Sequence, residues 1–192
     1  MEDPRFKFLA KHIVLSEEEK ELLIDLSIFK SYKKGAVLLK EGEFAKESYT
    51  VLSGCIRQYY MQDGDEKTTA FYIEEESVSP ESLINNEPST YYLSCEQDTT
   101  ALIWTQEMEQ IVFDKFPKFE TLCRKLSEKE LAKSQASFAQ YINSTPEERY
   151  TELMQKRPEL FSKVPQYQIA SYLGVTPESL SRIRKRKILR LK

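Results

Sequence analysis

Residues 165–186 read PQYQIASYLGVTPESLSRIRKR and are the most specific feature of the chain. Apolar residues stand at helical spacing in both of its halves: Ile169, Leu173, Leu180 and Ile183. Gly174 between the halves accepts the left-handed backbone of a tight turn, and the small Ala170 lets a second helix approach closely. Thr176 can cap that second helix, and Pro177 suits its first position. The pattern predicts two short helices joined by a tight turn.

The second predicted helix has a polar and mainly basic outer face. When Leu180 and Ile183 point inward, Arg182 can donate two hydrogen bonds to a guanine edge in the major groove, and Glu178 can accept one from a cytosine amino group. The neighbouring polar and basic side chains suit phosphate contacts, which position a helix without reading sequence. The predicted DNA-binding residues are Thr176, Glu178, Ser179, Arg182, Lys185 and Arg186. A helical hairpin whose charges are merely solvated is the alternative.

Charge is distributed unevenly along the 192 residues, whose net charge is −3. Residues 164–192 hold seven lysines and arginines against the single acid Glu178, whereas the remaining residues are net acidic. A basic end on an acidic body is typical of a protein that binds a polyanion locally. The acidic body leaves open a second function, in which the chain senses a ligand or binds a protein and does not act on DNA.

The composition argues against several classes of protein. A single histidine, His12, cannot supply a metal-dependent barrel enzyme, and five glycines form no phosphate-binding loop. Cys55, Cys95 and Cys123 are odd in number and far apart, so we expect free thiols and no metal site. No run approaches the roughly 20 apolar residues of a membrane span, and residues 1–11 lack the apolar core of a signal peptide. We therefore expect a cytoplasmic protein that is not an enzyme and has no membrane partner.

The sequence pattern from Tyr32 to about Thr105 is typical of β-structure. Short alternating segments are separated by turn signals such as Lys34-Gly35, Ser53-Gly54 and Asp63-Gly64-Asp65. The predicted strands are Ala36–Lys40, Ser48–Leu52, Cys55–Met61, Thr68–Ile73, Tyr91–Cys95 and Thr100–Trp104. Many short strands with regular turns predict an antiparallel sandwich or barrel.

Helices are predicted on both sides of these strands. Ser16 and Glu19 form a capping box before a helix that reaches Leu26. A long helix follows the strands, with one apolar stripe at Phe119, Leu122 and Leu126 and a second at Leu131, Phe138 and Ile142. This long helix can pair with its twin in a dimer, pack on the chain's own barrel, or do both. The predicted domains are residues 1–115, a barrel with N-terminal helices; 116–143, a connecting and dimerisation helix; and 144–192, a helix-turn-helix domain.

Two segments resemble one known family. Gln168–Ile183 resembles the DNA-binding domain of the cyclic-AMP receptor protein/FNR (Crp/Fnr) regulators, and Tyr32–Gly42 with Tyr49–Gly54 is similar to the first strands of their sensor barrel. The resemblance implies an α+β fold: an antiparallel jelly-roll barrel joined by a long helix to a helix-turn-helix domain. It also implies a homodimer that binds a two-fold symmetric operator and acts on transcription with RNA polymerase. By this resemblance Glu178 and Arg182 occupy base-reading positions.

The chain departs from the family where cyclic nucleotide would bind. Binding members have a Gly-Glu pair and an Arg followed by a small residue. Here Glu81 remains, Pro80 replaces the Gly, and Tyr91 and Tyr92 stand where the Arg and its neighbour would fall. A buried phosphate without a cationic partner is costly, so we predict no cyclic-AMP binding and no cofactor.

An uncharged effector is the remaining possibility for the barrel. Its candidate pocket residues are Glu81, Tyr91, Tyr92, Tyr59 and Tyr72. The alternatives are that these tyrosines simply pack within the strands, or that no effector exists. We also expect no two-stranded wing of the kind that the family has after its recognition helix, since Lys187–Lys192 are too few for such a hairpin, and we expect these residues to extend the helix.

Overall fold

The computed structural model describes residues 4–190, and its centre is a sandwich of two four-stranded antiparallel sheets. The strands are β1 Phe29–Tyr32, β2 Val37–Leu39, β3 Ser48–Ser53, β4 Ile56–Gln62, β5 Asp65–Tyr72, β6 Ser77–Val78, β7 Tyr92–Cys95 and β8 Thr99–Trp104. One sheet has the order β1-β8-β3-β6 and the other β2-β7-β4-β5. This arrangement confirms the predicted jelly-roll class and all six predicted strands, with shifts at their ends.

The sandwich core follows from the two-residue period of the strands. In β4, Ile56 faces the opposite sheet and packs with Leu93 of β7 and Val51 of β3, whereas the next residue, Arg57, faces outward. A bulge lies between Gln58 and Tyr59, where the register with β5 shifts. The outer face of β4, β5 and β7 therefore carries its own set of side chains, which the C-terminal helices cover.

The helices surround this sandwich on two sides. They are α1 Lys7–Ala10, α2 Glu17–Asp25, α3 Glu81–Asn85, α4 Gln106–Lys115, α5 Lys118–Asn143, α6 Pro146–Lys156, α7 Leu160–Lys163, α8 Gln166–Tyr172 and α9 Pro177–Arg190. Ser16 and Glu19 form the predicted capping box of α2. The N-terminal helices, α4 and the start of α5 share an apolar cluster built around Phe6, Leu23 and Phe119. None of the helices between residues 4 and 190 combines the length and apolar character of a membrane span.

The long helix α5 changes surroundings along its length. Phe119 is buried, and Leu122 and Leu126 are half-buried, which agrees with the first predicted stripe. Every residue from 127 to 143 is exposed, including Leu131, Phe138 and Ile142. The helix therefore begins as part of the barrel's packing and ends with an uncovered apolar stripe.

The last four helices form a compact C-terminal unit. Thr145 and Glu148 form a capping box at the start of α6, next to the predicted boundary. A four-residue turn joins α8 to α9, and Gly174 in it has φ +69°, as the sequence predicted. The unit's core, including Leu160, Ile169 and Leu180, is continuous with Phe71 and Ile73 on the outer face of the barrel. The C-terminal unit is therefore packed directly on the second sheet.

Candidate nucleic-acid interface

Helix α9 has one buried side and one open side. Leu180 and Ile183 are buried in the C-terminal unit, as their spacing predicted. The Thr176 hydroxyl accepts a hydrogen bond from the Ser179 N–H at 3.3 Å and so caps the helix. Five of the six predicted DNA-binding residues are exposed and Ser179 is half-exposed, so none of them is covered by the protein's own body.

Polar contacts hold α9 on both flanks. Arg186 forms an ion pair with Glu147 at the start of α6, and Arg184 donates to Gln166 at the start of α8. These contacts fix the rotation of the helix about its axis. They also use part of the charge of Arg186, so its side chain is shared between the predicted phosphate contact and an intramolecular one.

The line between these flanks carries Glu178, Arg182 and Lys185. Residues three and four apart lie on one face of a helix, so the three side chains form a single outward row. Arg182 donates to the Ser179 hydroxyl at 3.2 Å. The pKa of Glu178 lies below its ordinary value because its own backbone N–H and the Thr176 hydroxyl donate to the carboxylate, with Arg182 adding attraction. The row thus offers a charged acceptor and two cations to a ligand.

The predicted effector-pocket residues do not lie together. Tyr72 and Tyr91 face the sandwich core, whereas Tyr59 and Tyr92 stack on each other on the outer face of the second sheet, with ring centroids 5.1 Å apart. Glu81 is exposed and accepts a hydrogen bond from Thr90 at 3.1 Å. The idea of one pocket lined by all five residues is therefore wrong, because adjacent strand residues point to opposite faces.

Neutral side chains contact Tyr72 and Tyr91 in the interior. Tyr72 donates to the Gln58 side chain at 2.9 Å, and the ring of Tyr60 lies 5.7 Å from that of Tyr91. Burial raises the pKa of Tyr72, and it raises that of Tyr91 to about 12, so both phenols stay protonated at neutral pH. These tyrosines pack within the strands, which is the alternative that the sequence left open.

Two functional groups were missed by the sequence reasoning. Arg149 of α6 donates to the Leu173 carbonyl at 3.0 Å and to the Ser144 carbonyl at 2.8 Å, joining the α8–α9 turn to the end of α5. Arg57 is buried on the outer face of the second sheet among Glu66 and Glu96. The position of Arg57 inside a predicted strand was the available signal, because an arginine that is buried there needs acidic partners.

Metal and thiol chemistry receive no support from the described residues. No group of three or more His, Cys, Asp or Glu side chains between residues 4 and 190 is placed to hold a metal ion. Cys55, Cys95 and Cys123 are free thiols, and burial raises the pKa of all three. His12 is exposed.

Known proteins resemble the chain in both sequence and fold. Residues 29–114 match the cyclic nucleotide-binding domain family. The fumarate and nitrate reduction regulatory proteins of Vibrio cholerae and Yersinia pestis are each 24% identical to the chain over 166 residues, covering 80% of it. The chain is similar in sequence and in fold to the Crp/Fnr regulators. It spans 66% of the length of these curated Crp/Fnr relatives, which are regulatory proteins, in agreement with the prediction that the chain is not an enzyme.

Solved Crp/Fnr structures share the fold over most of the chain. FixK2 from Bradyrhizobium japonicum superimposes with a TM-score of 0.69 at 18% identity and covers 84% of both chains. A CooA mutant from Carboxydothermus hydrogenoformans gives a TM-score of 0.64 at 21% identity, covering 89% of this chain and 80% of that one. The Xanthomonas campestris regulator CLP, described as responsive to c-di-GMP, gives 0.65 at 17% identity, covering 88% and 91%. These likenesses support the barrel, long helix and C-terminal helices as one Crp/Fnr architecture.

Proposed function

We propose that this Crp/Fnr-like regulator binds double-stranded DNA sequence-specifically by placing α9 in the major groove. The observation that carries the proposal is the uncovered row of Glu178, Arg182 and Lys185 on a helix held at both flanks. Arg182 reads a guanine, Glu178 accepts from a cytosine amino group, and Lys185 contacts phosphate. Thr176, Ser179 and Arg186 lie beside this row and add positioning contacts.

The proposed active species is a homodimer joined along α5. Leu131, Phe138 and Ile142 are 61%, 68% and 63% exposed, although each is large and apolar. The stripe points away from the barrel, because Lys133 on the other side of the helix contacts Glu76 of the barrel at 3.3 Å. An apolar stripe at this spacing fits a second copy of the same helix, and a two-fold dimer matches a two-fold operator.

The regulator acts in the cytoplasm, alters transcription in contact with RNA polymerase, and does not respond to cyclic AMP. Support for the last point comes from the neutral interior around Tyr72 and Tyr91 and from the absence of any lysine or arginine between Lys67 and Lys115 in the sequence.

The first experiment selects binding sites from a randomised duplex pool and then measures affinity for the selected site. We expect a symmetric site whose affinity falls about 5- to 150-fold for Arg182→Ala, because one bidentate base contact contributes roughly 1–3 kcal/mol. Lys185→Gln should weaken binding to all duplexes alike and reduce the salt slope by about 1.

Lys33→Ala is the matched control, since it removes the same charge from an exposed side chain on the barrel that pairs with Asp98. It should leave affinity unchanged. If no duplex is retained at low salt, or if Arg182→Ala binds the selected site as the parent does, then α9 is not a groove reader and the chain acts as a protein-interaction module.

A further inference from the structure

Helix α8 is tied to strand β5 by direct contacts. The Thr68 N–H donates to the Ser171 hydroxyl at 2.9 Å, and that hydroxyl donates to the Glu66 carbonyl at 3.2 Å. The rings of Tyr172 and Phe71 meet edge to face at 5.4 Å between centroids. Ser171 of α8 thus satisfies two backbone groups of β5 and joins this strand to the first helix of the α8–α9 pair.

A buried charge network lies beneath this contact. Arg57 is 4% exposed; it donates to Glu66 at 2.6 Å and to Glu96 at 2.8 Å, and its guanidinium lies 4.1 Å from the centre of the Tyr59 ring. Tyr59 in turn stacks on Tyr92. Both carboxylates and the ring hold the guanidinium in one position, because a buried charge is tolerated only when it is fully paired.

Glu96 joins this network to the C-terminal unit. Its Oε1 accepts from Arg57 and from Ser94, whereas its Oε2 accepts from Nε2 of Gln168 in α8 at 2.9 Å. Gln168 is 3% exposed, and its own Oε1 has no hydrogen-bond partner. Gln168 lies in the interior of the C-terminal unit, whereas Glu96 directly follows strand β7 of the barrel. Their hydrogen bond therefore connects the C-terminal unit to the barrel.

Three further polar contacts surround the junction. Lys163 pairs with Glu74 at 2.6 Å, Arg157 pairs with Glu76 at 2.6 Å, and Gln97 donates to the Lys163 carbonyl at 2.6 Å. Glu76 also meets Lys133 of α5. The C-terminal unit is therefore held at several separated points on the barrel and, through Glu76, relative to α5.

We propose that Arg57, Glu96, Gln168 and Ser171 form a positioning latch that sets the distance between the two recognition helices of a dimer, and hence the half-site spacing that the regulator accepts. The proposal rests on the proposed function. Because α9 stays uncovered while α8 is held, the latched arrangement is the DNA-binding one. When the two recognition helices are fixed, the second helix reaches its half-site at high effective concentration only if the spacing of the half-sites matches that of the helices. When the C-terminal units are loosely held, the dimer binds the matching duplex more weakly and tolerates other half-site spacings.

The test uses the full chain and duplexes that carry the selected half-sites at the selected spacing, at spacings changed by one and two base pairs, and as one isolated half-site. The parent should lose roughly tenfold or more in affinity at the changed spacings. Gln168→Leu keeps the volume of the side chain, and Ser171→Ala removes the strand contact. For both, we expect the preference to shrink to about threefold or less, with isolated half-site affinity unchanged.

Ser162→Ala is the matched control, because Ser162 lies on α7 in the same unit and donates only to the Glu159 carbonyl. It should keep the parent's spacing preference. Gln168→Glu places two carboxylates together and should abolish the preference; combining it with Glu96→Gln restores an amide donor facing a carboxylate and should recover it.

The outcomes separate this inference from the proposed function. Binding of the isolated half-site with an unchanged spacing preference in Gln168→Leu and Ser171→Ala overturns the latch and leaves DNA binding intact. Failure of the parent itself to bind any half-site overturns the proposed function. Loss of half-site binding in Gln168→Leu and Ser171→Ala but not in Ser162→Ala also overturns the latch, since it assigns these residues to the stability of the unit and not to its placement.

Discussion

At the scale of single residues, Gly54 and Gly35 provide a matched pair. Both residues have a positive φ, +102° for Gly54 and +84° for Gly35. Residues other than glycine adopt this backbone conformation at a cost of roughly 1–2 kcal/mol. A Cβ on Gly54 would lie 2.6 Å from the Asp98 carbonyl and 2.7 Å from the Thr99 Cα, whereas a Cβ on Gly35 would meet nothing within 4 Å. The two positions therefore separate backbone strain from crowding.

We predict that Gly54→Ala destabilises the fold by about 1–3 kcal/mol more than Gly35→Ala does, because the Asp98 carbonyl and the Thr99 Cα are backbone atoms and cannot rotate away. Urea unfolding followed by circular dichroism measures both free energies. Equal losses in the two variants would show that the β3–β4 turn moves freely to admit the methyl group.

Residue faces were predictable only where one element decides them. Leu180 and Ile183 are buried and Arg182 is exposed because a helix repeats every 3.6 residues, and the sequence alone contains that period. Tyr91 and Tyr92 face opposite sides of the sheet because successive residues of a strand alternate between its two faces. Tyr59 and Tyr72 lie on opposite sides because Tyr72 pairs with Ile56 in the β4–β5 hairpin, three residues before Tyr59, and this register is not written in either strand alone.

At the scale of elements, the uncovered half of α5 gives a direct prediction. Phe138→Glu places a charge in the centre of the exposed stripe and should convert the proposed dimer to a monomer, since burying an unpaired carboxylate between two helices is costly. The isolated monomer should keep its fold, because this side chain is already exposed in the single chain. Sedimentation or light scattering across a concentration series measures the change.

Gln140→Glu is the control for that variant. It adds the same charge to the same helix on nearly the opposite face, half a turn from Phe138, and should leave the association unchanged. A monomeric parent protein, or a dimer that Phe138→Glu does not weaken, would rule out α5 as the dimer contact.

Elements with strong local signals were predictable and weak ones were not. The capping boxes at Ser16 and Thr145 mark the starts of α2 and α6, because satisfying the first amides of a helix is a local requirement. β1 begins at Phe29, before the predicted strand region, and is held by pairing with β8 across about 70 residues. α7, at Leu160–Lys163, is four residues long and too short to show a period.

At the scale of the whole molecule, the junction between the barrel and the C-terminal unit could not be predicted from the sequence. Its hydrogen bonds join residues far apart in the chain, such as Thr68 with Ser171 and Glu96 with Gln168. No local period or cap encodes such a contact. The predicted boundary near residue 144 stays a prediction about domains, whereas the packing shows that residues on both sides of it share one apolar cluster.

The response to cyclic AMP is the prediction that depends on the whole barrel. Its interior offers neutral tyrosines, and the buried Arg57 faces outward and is already paired with Glu66 and Glu96. A cyclic phosphate placed beside Tyr72 and Tyr91 would lose its hydration without gaining a cation from these side chains. We therefore expect 1 mM cyclic AMP to leave the thermal midpoint and the DNA affinity of the protein unchanged.

Adenosine is the control for this measurement, because it keeps the base and the sugar and lacks the phosphate. A ligand present at about 100 times its dissociation constant would stabilise the fold by roughly 2.7 kcal/mol, which corresponds to about 5–11 °C for a chain of this size. Such a rise with cyclic AMP and not with adenosine would mean that a cation reaches the phosphate in a conformation with a rearranged interior. A rise with both would instead identify a site for an uncharged nucleoside, which the neutral tyrosines around Tyr72 and Tyr91 would accommodate without an ion pair.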